Sequence, residues 1–590
     1  MNCAGTGLYL SLRRRSRFRS KDETFLGSRT IHTLPLALSM VASNVSASGL
    51  IAFTAHYYVY GFHTLWAIPV FVPAVMMVAY LFLPVLYELK VTSVFEYLRM
   101  RYGNGVGVAS SVIYFVLSQA IGVAGLYSAA IAISTVLEVS TVVATVIVGV
   151  AGTGYTALGG LRSVVWADCV QTLIMTASPL VIITKIAYDA SGTNVSASSR
   201  EKLDVRAYIF RTDLDLTTDE TVWAASVAAF PYQLLRLGLD QMITQRFLAA
   251  RTLREARVVT FIGAGLLALF YALGGFTALA IVFWFRGCDP YLSGSISRYD
   301  QIVPYYINKS ASAVAGVRGL FLAGVVSASI STMSSIVNSQ AAVLYVDIVS
   351  PKVRVSEKTT PFVVAGLAVT SGTVMTLFGL AVPYAGSAAR FCISLYSSAS
   401  GPFAGIMILA FMFPWANARG TATAALAVFL IQTWQTTGRF LSRIEPRRMS
   451  YSVEQCPLNS TVHETDSSSR NFEASQVFLL YRLSPYWCCL LSACATVLLG
   501  LVFSLLIAGP DDSLKNAARL STPATLKFWQ RIGLLQHLEK EAAQITVVDP
   551  CFKVSPFELQ PLHESQGGHR VPVDATRETG VLYKFTQLAS

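Results

Sequence analysis

Apolar stretches close to the length of a bilayer-crossing helix recur from residue 33 to residue 508, separated by short segments rich in Gly, Pro, Ser and charge. About 20 helical residues cross the hydrocarbon core of a membrane. Matched to that length, the pattern predicts twelve helices, over 33–60, 64–87, 106–136, 139–158, 163–188, 221–247, 257–285, 316–346, 360–382, 386–413, 418–437 and 484–508. Two of them are interrupted by polar residues. In the first, SMVASNVSASGLIAF sets Ser39, Ser43, Asn44, Ser46, Ser48 and Gly49 at mid-span; in the sixth, FPYQLLRLGLDQMITQRFL carries Gln233, Arg236, Gly238, Asp240 and Gln241. Irregular backbone at membrane depth is tolerated where it lines a cavity. Interrupted helices in first and sixth place are the pattern of two inverted five-helix repeats, an architecture of secondary transporters. The expected fold is an all-α polytopic membrane protein with core repeats over 33–188 and 221–413 plus accessory helices.

A third feature lies in GLFLAGVVSASISTMSSIVNSQAAVLYVD, from Gly319 to Asp347. Ala328, Ser331, Thr332, Ser335 and Ser339 are three and four residues apart and share one helix face. Hydroxyls at bilayer depth need partners inside the protein, so the stripe either packs helices together or holds a hard cation.

Charge between the helices sets their orientation. Arg13, Arg14, Arg15, Arg17, Arg19 and Lys21 precede the first helix. Lys90, Arg99 and Arg101, then Arg251, Arg254 and Arg257, then Lys352, Arg354 and Lys358 occupy alternate loops, which places those loops and both chain ends in the cytoplasm. Asn194, Asn308 and Asn459 open glycosylation sequons in loops on the opposite side, where glycans attach; a fourth sequon, at Asn44, lies inside the first helix. The chain thus divides into a basic cytoplasmic segment (1–32), a transmembrane domain (33–508) and a cytoplasmic tail (509–590) expected to be largely disordered. Within the tail, LKFWQRIGLLQHLEKEAA from Leu526 reads as a helix lying on the membrane surface.

Composition agrees with a membrane protein: of 590 residues, 53% are hydrophobic and only 13% charged, against about a quarter charged in soluble domains. The net charge of +12 resides mainly in loops rather than on one basic face, which argues against nucleic-acid binding. Nine cysteines form no CxxC pair; Cys169, Cys392, Cys488, Cys489 and Cys494 sit in apolar runs and read as small buried hydrophobes. No GxxxxGK[ST], HExxH or GxSxG motif occurs, so neither ATP-driven pumping nor enzymatic hydrolysis has a residue basis.

Several segments in order resemble the sodium/solute symporter family, within it the branch of multivitamin, monocarboxylate and iodide transporters. They are LPVLYELKVTSVFEYLRMRYG from Leu83, GGLRSVVWADCVQ from Gly159, DQMITQRFLAARTLREA from Asp240, CDPYLSGSISRYDQIVPYYI from Cys288, FPWANARG from Phe413 and LYRLSPYW from Leu480. The resemblance runs from about Asp22 to Gly509. It implies the fold of bacterial amino-acid/sodium symporters, Na+ as the coupling ion, and a plasma-membrane carrier of a small solute. It also implies sodium ligands: the carbonyls of Ala42, Val45 and Ala328 with the hydroxyls of Ser331 and Thr332. A hard cation needs several oxygens, and an unwound segment frees carbonyls that a helix consumes. Asp168 and Gln171, with Ser43 opposite, match a second sodium-linked position, although Asp168 also stands about one and a half turns from Arg162 and an interfacial ion pair is the alternative.

For the solute, the resemblance points to the two interrupted helices, with Asn44, Gly49, Gln233, Arg236 and Gln241 as candidates. Relatives place aromatic or apolar residues where this chain has Arg236 and Leu237, and often Gln where it has Gly49. Arg236 either forms a bidentate bond to a carboxylate or pairs internally with Asp240 at i,i+4. Arg390 in the tenth helix poses the same alternative. A small organic anion or vitamin such as a monocarboxylate, pantothenate or biotin is the expected solute; iodide, a sugar, or a non-transporting sensor are the alternatives. The sequence does not indicate the oligomeric state. Family members carry a leading helix, whereas only MNCAGTGLYLSL precedes the basic cluster here, so that helix is expected to be missing.

Overall fold

The computed structural model describes residues 25–192, 205–310, 314–353, 355–356, 359–385, 388–442, 448–449, 451, 453, 456, 477–507 and 517–533. The chain divides into two units, Met1–Leu534 and Leu535–Ser590, and every described residue belongs to the first. The N-terminal stub and its basic cluster, Asn194, Asn459, Arg354 and Lys358, and the side chain of Arg390 lie outside the described part.

All twelve predicted spans carry helix. The first is α1 (Thr33–Asn44) followed by α2 (Ala47–Tyr60), bent 72° from each other. Then come α3 (His63–Glu88), a short α4 (Val94–Tyr102), α5 (Asn104–Leu137) and α6 (Thr141–Gly192). The predicted pair 139–158 and 163–188 appears as α6, two spans meeting at a kink where Gly160 adopts φ 66°, ψ 173°. That left-handed φ is open to glycine and strained for other residues. The second half opens with α7 (222–239) and α8 (Gln241–Leu248), parted at Asp240, whose backbone is extended. It continues through α9 (Leu253–Phe285), α10 (Ile302–Ser310), α11 (Val317–Val349), α12 (Thr360–Ala381) and α13 (Ala388–Met412). Accessory helices α14 (Ala418–Leu441) and α15 (Pro485–Leu506) follow, then α16 (Pro523–Arg531).

Each half comprises five spans, an odd number, so the second half enters the membrane from the opposite side and its interrupted helix faces that of the first. Among the described residues seven helices are long and apolar enough to cross a membrane, and the bent first pair makes an eighth. Of the remaining spans, α7 carries Gln233 and Arg236 and α14 carries Gln432, Gln435 and Arg439, while Ala399–Met412 of α13 is a shorter apolar helix. At the centre α1 packs against α6, α9 and α11, the element that bears the hydroxyl stripe. At Gly238 the two halves approach closely; a Cβ there would lie 2.2 Å from a Val78 methyl on α3.

The loop arginines do more than set orientation. Arg101 donates to the carbonyls of Phe413, Pro414 and Ala416 beyond α13, Arg257 to that of Ala79, and Arg99 to Asp347 at 3.2 Å. Arg101 thus satisfies carbonyls that the end of α13 leaves free, and Arg257 meets α3 within its 78–82 π-turn. Within the tail, the helix expected on the membrane surface from Leu526 appears as Pro523–Arg531, and 517–533 contacts the rest of the protein. Thr522 donates through its hydroxyl to Leu81 O (2.7 Å) and through its amide to Phe411 O (2.9 Å), and Trp529 Nε1 donates to Met412 O (2.7 Å) beside Phe413 and Trp415. The helix is short, and its tryptophan docks on protein instead of lipid.

Cys288, after α9, is disulfide-bonded to Cys456, between α14 and α15. Disulfides form in oxidising compartments, and the charge pattern expects both of these loops outside. Asp289 next to it accepts from the amides of Tyr291 and Leu292 and from Tyr58 at the end of α2 (2.9 Å). Burial raises the Asp289 carboxyl above its usual range, and those donors pull it back. Asn308 lies on α10, its amide nitrogen donating to Thr135 O at 3.4 Å.

Candidate ion and solute site

Where α1 ends, Val45 and Ser46 take extended conformations (ψ 105° and 174°), releasing carbonyls that a continuous helix would have used. The hydroxyl stripe of α11 faces them. Ser331 Oγ lies 2.9 Å from Ala42 O and 3.1 Å from Ala328 O. Thr332 Oγ1 lies 3.3 Å from Val45 O and 3.4 Å from both Ala42 O and Ser43 O. Every residue of the set is at most 3% exposed. Four carbonyls and two hydroxyls, all neutral, thus come together from two helices in one buried place. Among the described residues no cluster of three His, Cys, Asp or Glu side chains exists that would suit a transition metal, whereas neutral oxygens suit a hard cation.

One and two turns along, a charged network crosses the same interface. Asp168 on α6 and Arg246 on α8 form a fully buried ion pair (3.3 Å). Arg162 is not the partner, so the alternative of an interfacial pair with it does not hold. Ser39 donates to Asp168 Oδ2 (2.5 Å) and accepts from Arg246 Nε (2.8 Å); Arg246 Nη2 also donates to Ser335 Oγ (2.6 Å), which is 2.8 Å from Ser43 Oγ. Arg246 further donates to the Met242 carbonyl. Ser43 therefore reaches Asp168 through Ser335 and Arg246 instead of directly. Asp168 Oδ1 and Gln171 Oε1 stay buried without a hydrogen-bond partner. Sequence reasoning passed over Arg246, which sits in the quoted DQMITQRFL motif; the available signal was a lone guanidinium at membrane depth, which demands a partner.

At the second interruption 235–239 form a five-residue π-turn that carries Arg236, the kind of local distortion found at functional sites. Arg236 does pair with Asp240, Nη1 to Oδ2 at 2.9 Å. Its other arm crosses to the first interruption, Nη2 donating to Asn44 O at 3.3 Å. Asp240 Oδ1 caps α8 through Met242 N (3.1 Å) and accepts from Tyr114 (3.0 Å), which in turn contacts Ser339 Oγ (2.9 Å). Of the remaining solute candidates, Asn44 and Gly49 are half-buried at the first break and Gln233 is buried on α7. Gln241 is turned elsewhere: its amide bonds Val94 N and Thr92 O at 2.9 Å each, tying α8 to α4.

The sodium:solute symporter family model matches residues 24–428. The bovine sodium-coupled monocarboxylate transporter 2 is 28% identical over 463 residues, 78% of this chain and 74% of its own. The human sodium/iodide cotransporter is 28% identical over 581 residues, 94% of this chain and 88% of its own. A solved Na+-coupled sialic acid symporter superposes with a TM-score of 0.68 at 17% identity, covering 86% of this chain and 96% of that one. The architecture is thus that of inverted-repeat sodium-coupled carriers. This chain belongs to the sodium:solute symporter family, a family of transporters; it is a multi-pass membrane symporter of a small solute, with sodium as its coupling ion.

Proposed function

We propose that the chain carries a small organic anion, a monocarboxylate or an acid vitamin, into the cell across the plasma membrane together with Na+. The observation that carries the reading is the convergence of Ala42, Val45 and Ala328 carbonyls with the Ser331 and Thr332 hydroxyls at the unwound end of α1. A sodium ion there replaces the hydroxyl–carbonyl bonds and fixes the first interruption, beside which Asn44, Gly49, Gln233 and Arg236 receive the solute. A second sodium takes the unpartnered oxygens Asp168 Oδ1 and Gln171 Oε1, with Ser43 held nearby through Ser335. The relatives named as monocarboxylate carriers and the guanidinium between the two breaks both favour an anion. The two interrupted helices then rock as units in alternating access.

Uptake of labelled acetate, lactate, butyrate and nicotinate, measured in sodium and in choline, tests the reading. Uptake of at least one acid is expected in sodium alone. Equal uptake in choline, or uptake of no acid, overturns it. Asp168→Asn is expected to lower the Hill coefficient for sodium.

A further inference from the structure

Arg236 on the second interruption reaches the carbonyl of Asn44 on the first at 3.3 Å. We infer that Arg236 anchors the solute's carboxylate and couples it to sodium by exchanging the Asn44 carbonyl for the solute. The inference rests on the proposed anion symport and adds the residue and the means of coupling.

Arg236 directly joins the two interrupted spans. Its bond to Asp240 is short, charge-assisted and fixed from behind, because Asp240 is itself held by Met242 N and Tyr114. Its bond to Asn44 O is long, at 3.3 Å, and made to a neutral acceptor. A carboxylate brings an opposite charge and a second oxygen to the guanidinium fork, which a single neutral carbonyl does not. An arriving carboxylate therefore takes the Asn44 edge and leaves the Asp240 edge in place. Asp240 is a positioning residue here: it sets the plane of the guanidinium fork.

The exchange reaches the ion because Asn44 lies between Ser43 and Val45, whose carbonyls stand 3.4 Å and 3.3 Å from Thr332 Oγ1. Releasing the Asn44 carbonyl frees the peptide that aims its neighbours at sodium. Charge points the same way. Arg236 and Asp240 neutralise each other, so an anion alone leaves the buried region at minus one, sodium alone leaves it at plus one, and the two together leave it neutral. Buried net charge is costly, so each ligand favours the other, and that coupling is reciprocal.

The test is the charge-neutral double variant Arg236→Gln/Asp240→Asn in full-length protein; Asn retains the oxygen that caps α8. Three quantities are read: half-saturating concentration for uptake of the best acid of the panel, sodium-induced thermal stabilisation in lipid nanodiscs, and the change in sodium affinity on adding that acid. The expected result is a half-saturation raised about tenfold to a hundredfold, sodium stabilisation retained, and a weaker effect of the acid on sodium affinity, because the charge-neutral variant keeps only the coupling that the opposite charges of acid and sodium supply. A double variant that matches wild type in uptake and coupling shows a purely internal pair and overturns the inference, while leaving the proposed function intact. Should the double variant fail to fold, Arg236→Lys keeps the charge and loses the fork; an unchanged half-saturation and coupling in that variant overturns the inference equally. A wild type that takes up no acid refutes the proposed function and this inference together.

Discussion

Thr332→Val removes one oxygen from the proposed sodium site and keeps the branched shape of the side chain. In the folded protein the hydroxyl lies 3.3 to 3.4 Å from three carbonyls and is 1% exposed, so no bulk water replaces it. A polar bond to a charged group contributes about 1.5–3 kcal/mol. At about 1.4 kcal/mol per factor of ten, the dissociation constant for sodium should rise at least tenfold. Thermal unfolding in nanodiscs, with sodium exchanged for choline at fixed ionic strength, reads that change. Sodium at about 100 times the wild-type constant stabilises the protein by about 2.7 kcal/mol, and a tenfold weaker variant keeps roughly 1.4 kcal/mol, so the sodium-dependent part is halved. Thr332→Ser retains the oxygen and should behave as wild type. A Val variant with the full sodium-dependent shift refutes the assignment; one that loses stability equally in sodium and in choline assigns Thr332 to packing alone.

Arg246→Met strands the Asp168 carboxylate in a fully buried place. The expected cost is about 3–5 kcal/mol, largely recovered by adding Asp168→Asn, and measured as the melting midpoint of the purified variants. Trp529→Ala deletes the bond to Met412 O and the contacts with Phe413 and Trp415. Limited proteolysis should then cut around 517–533 about tenfold faster, a local opening eased by about 1.4 kcal/mol, with the melting of the helical core unchanged. Glu220, outside the membrane-spanning helices, is 4% exposed next to Asp219, which pairs with Arg439; burial, then the neighbouring carboxylate, pushes its carboxyl up to about 9. A raised carboxyl pKa means stability that is full below about 4.5 and is lost as pH rises towards about 9. The melting temperature of wild type should therefore fall more steeply between those pH values than that of Glu220→Gln, and equal slopes would refute the assignment.

The helices were legible because length and apolarity are local properties, and the interruptions because Asn44 and Asp240 sit among polar neighbours that no lipid-facing stretch carries. The Arg236–Asp240 pair was legible too, since i,i+4 spacing brings its members together on one turn. Asp168 shows where local reading stops. Its nearest arginine along the chain is Arg162, yet its partner is Arg246, 78 residues away, brought to it by α8 packing beside α1. The same holds for Gln241, which reads as a cavity residue by its neighbours and is used to fasten α4. The helix joining 139–158 to 163–188 rests on the conformation of Gly160, which a GG pair signals only as a turn.

The Cys288–Cys456 bridge spans 168 residues of sequence, and this has a consequence for synthesis. Cys288 emerges once α9 is complete, and its partner arrives only after α11, α12, α13 and α14 have been threaded into the membrane. Until then the thiol waits unpaired. The bond thus records completed insertion: a chain that stalls, or inserts a later helix the wrong way round, presents Cys288 without Cys456 on the same side. Thiol-reactive labelling during biosynthesis would count such chains, and a secretory quality-control system that retains free thiols would hold them back before any reached the cell surface.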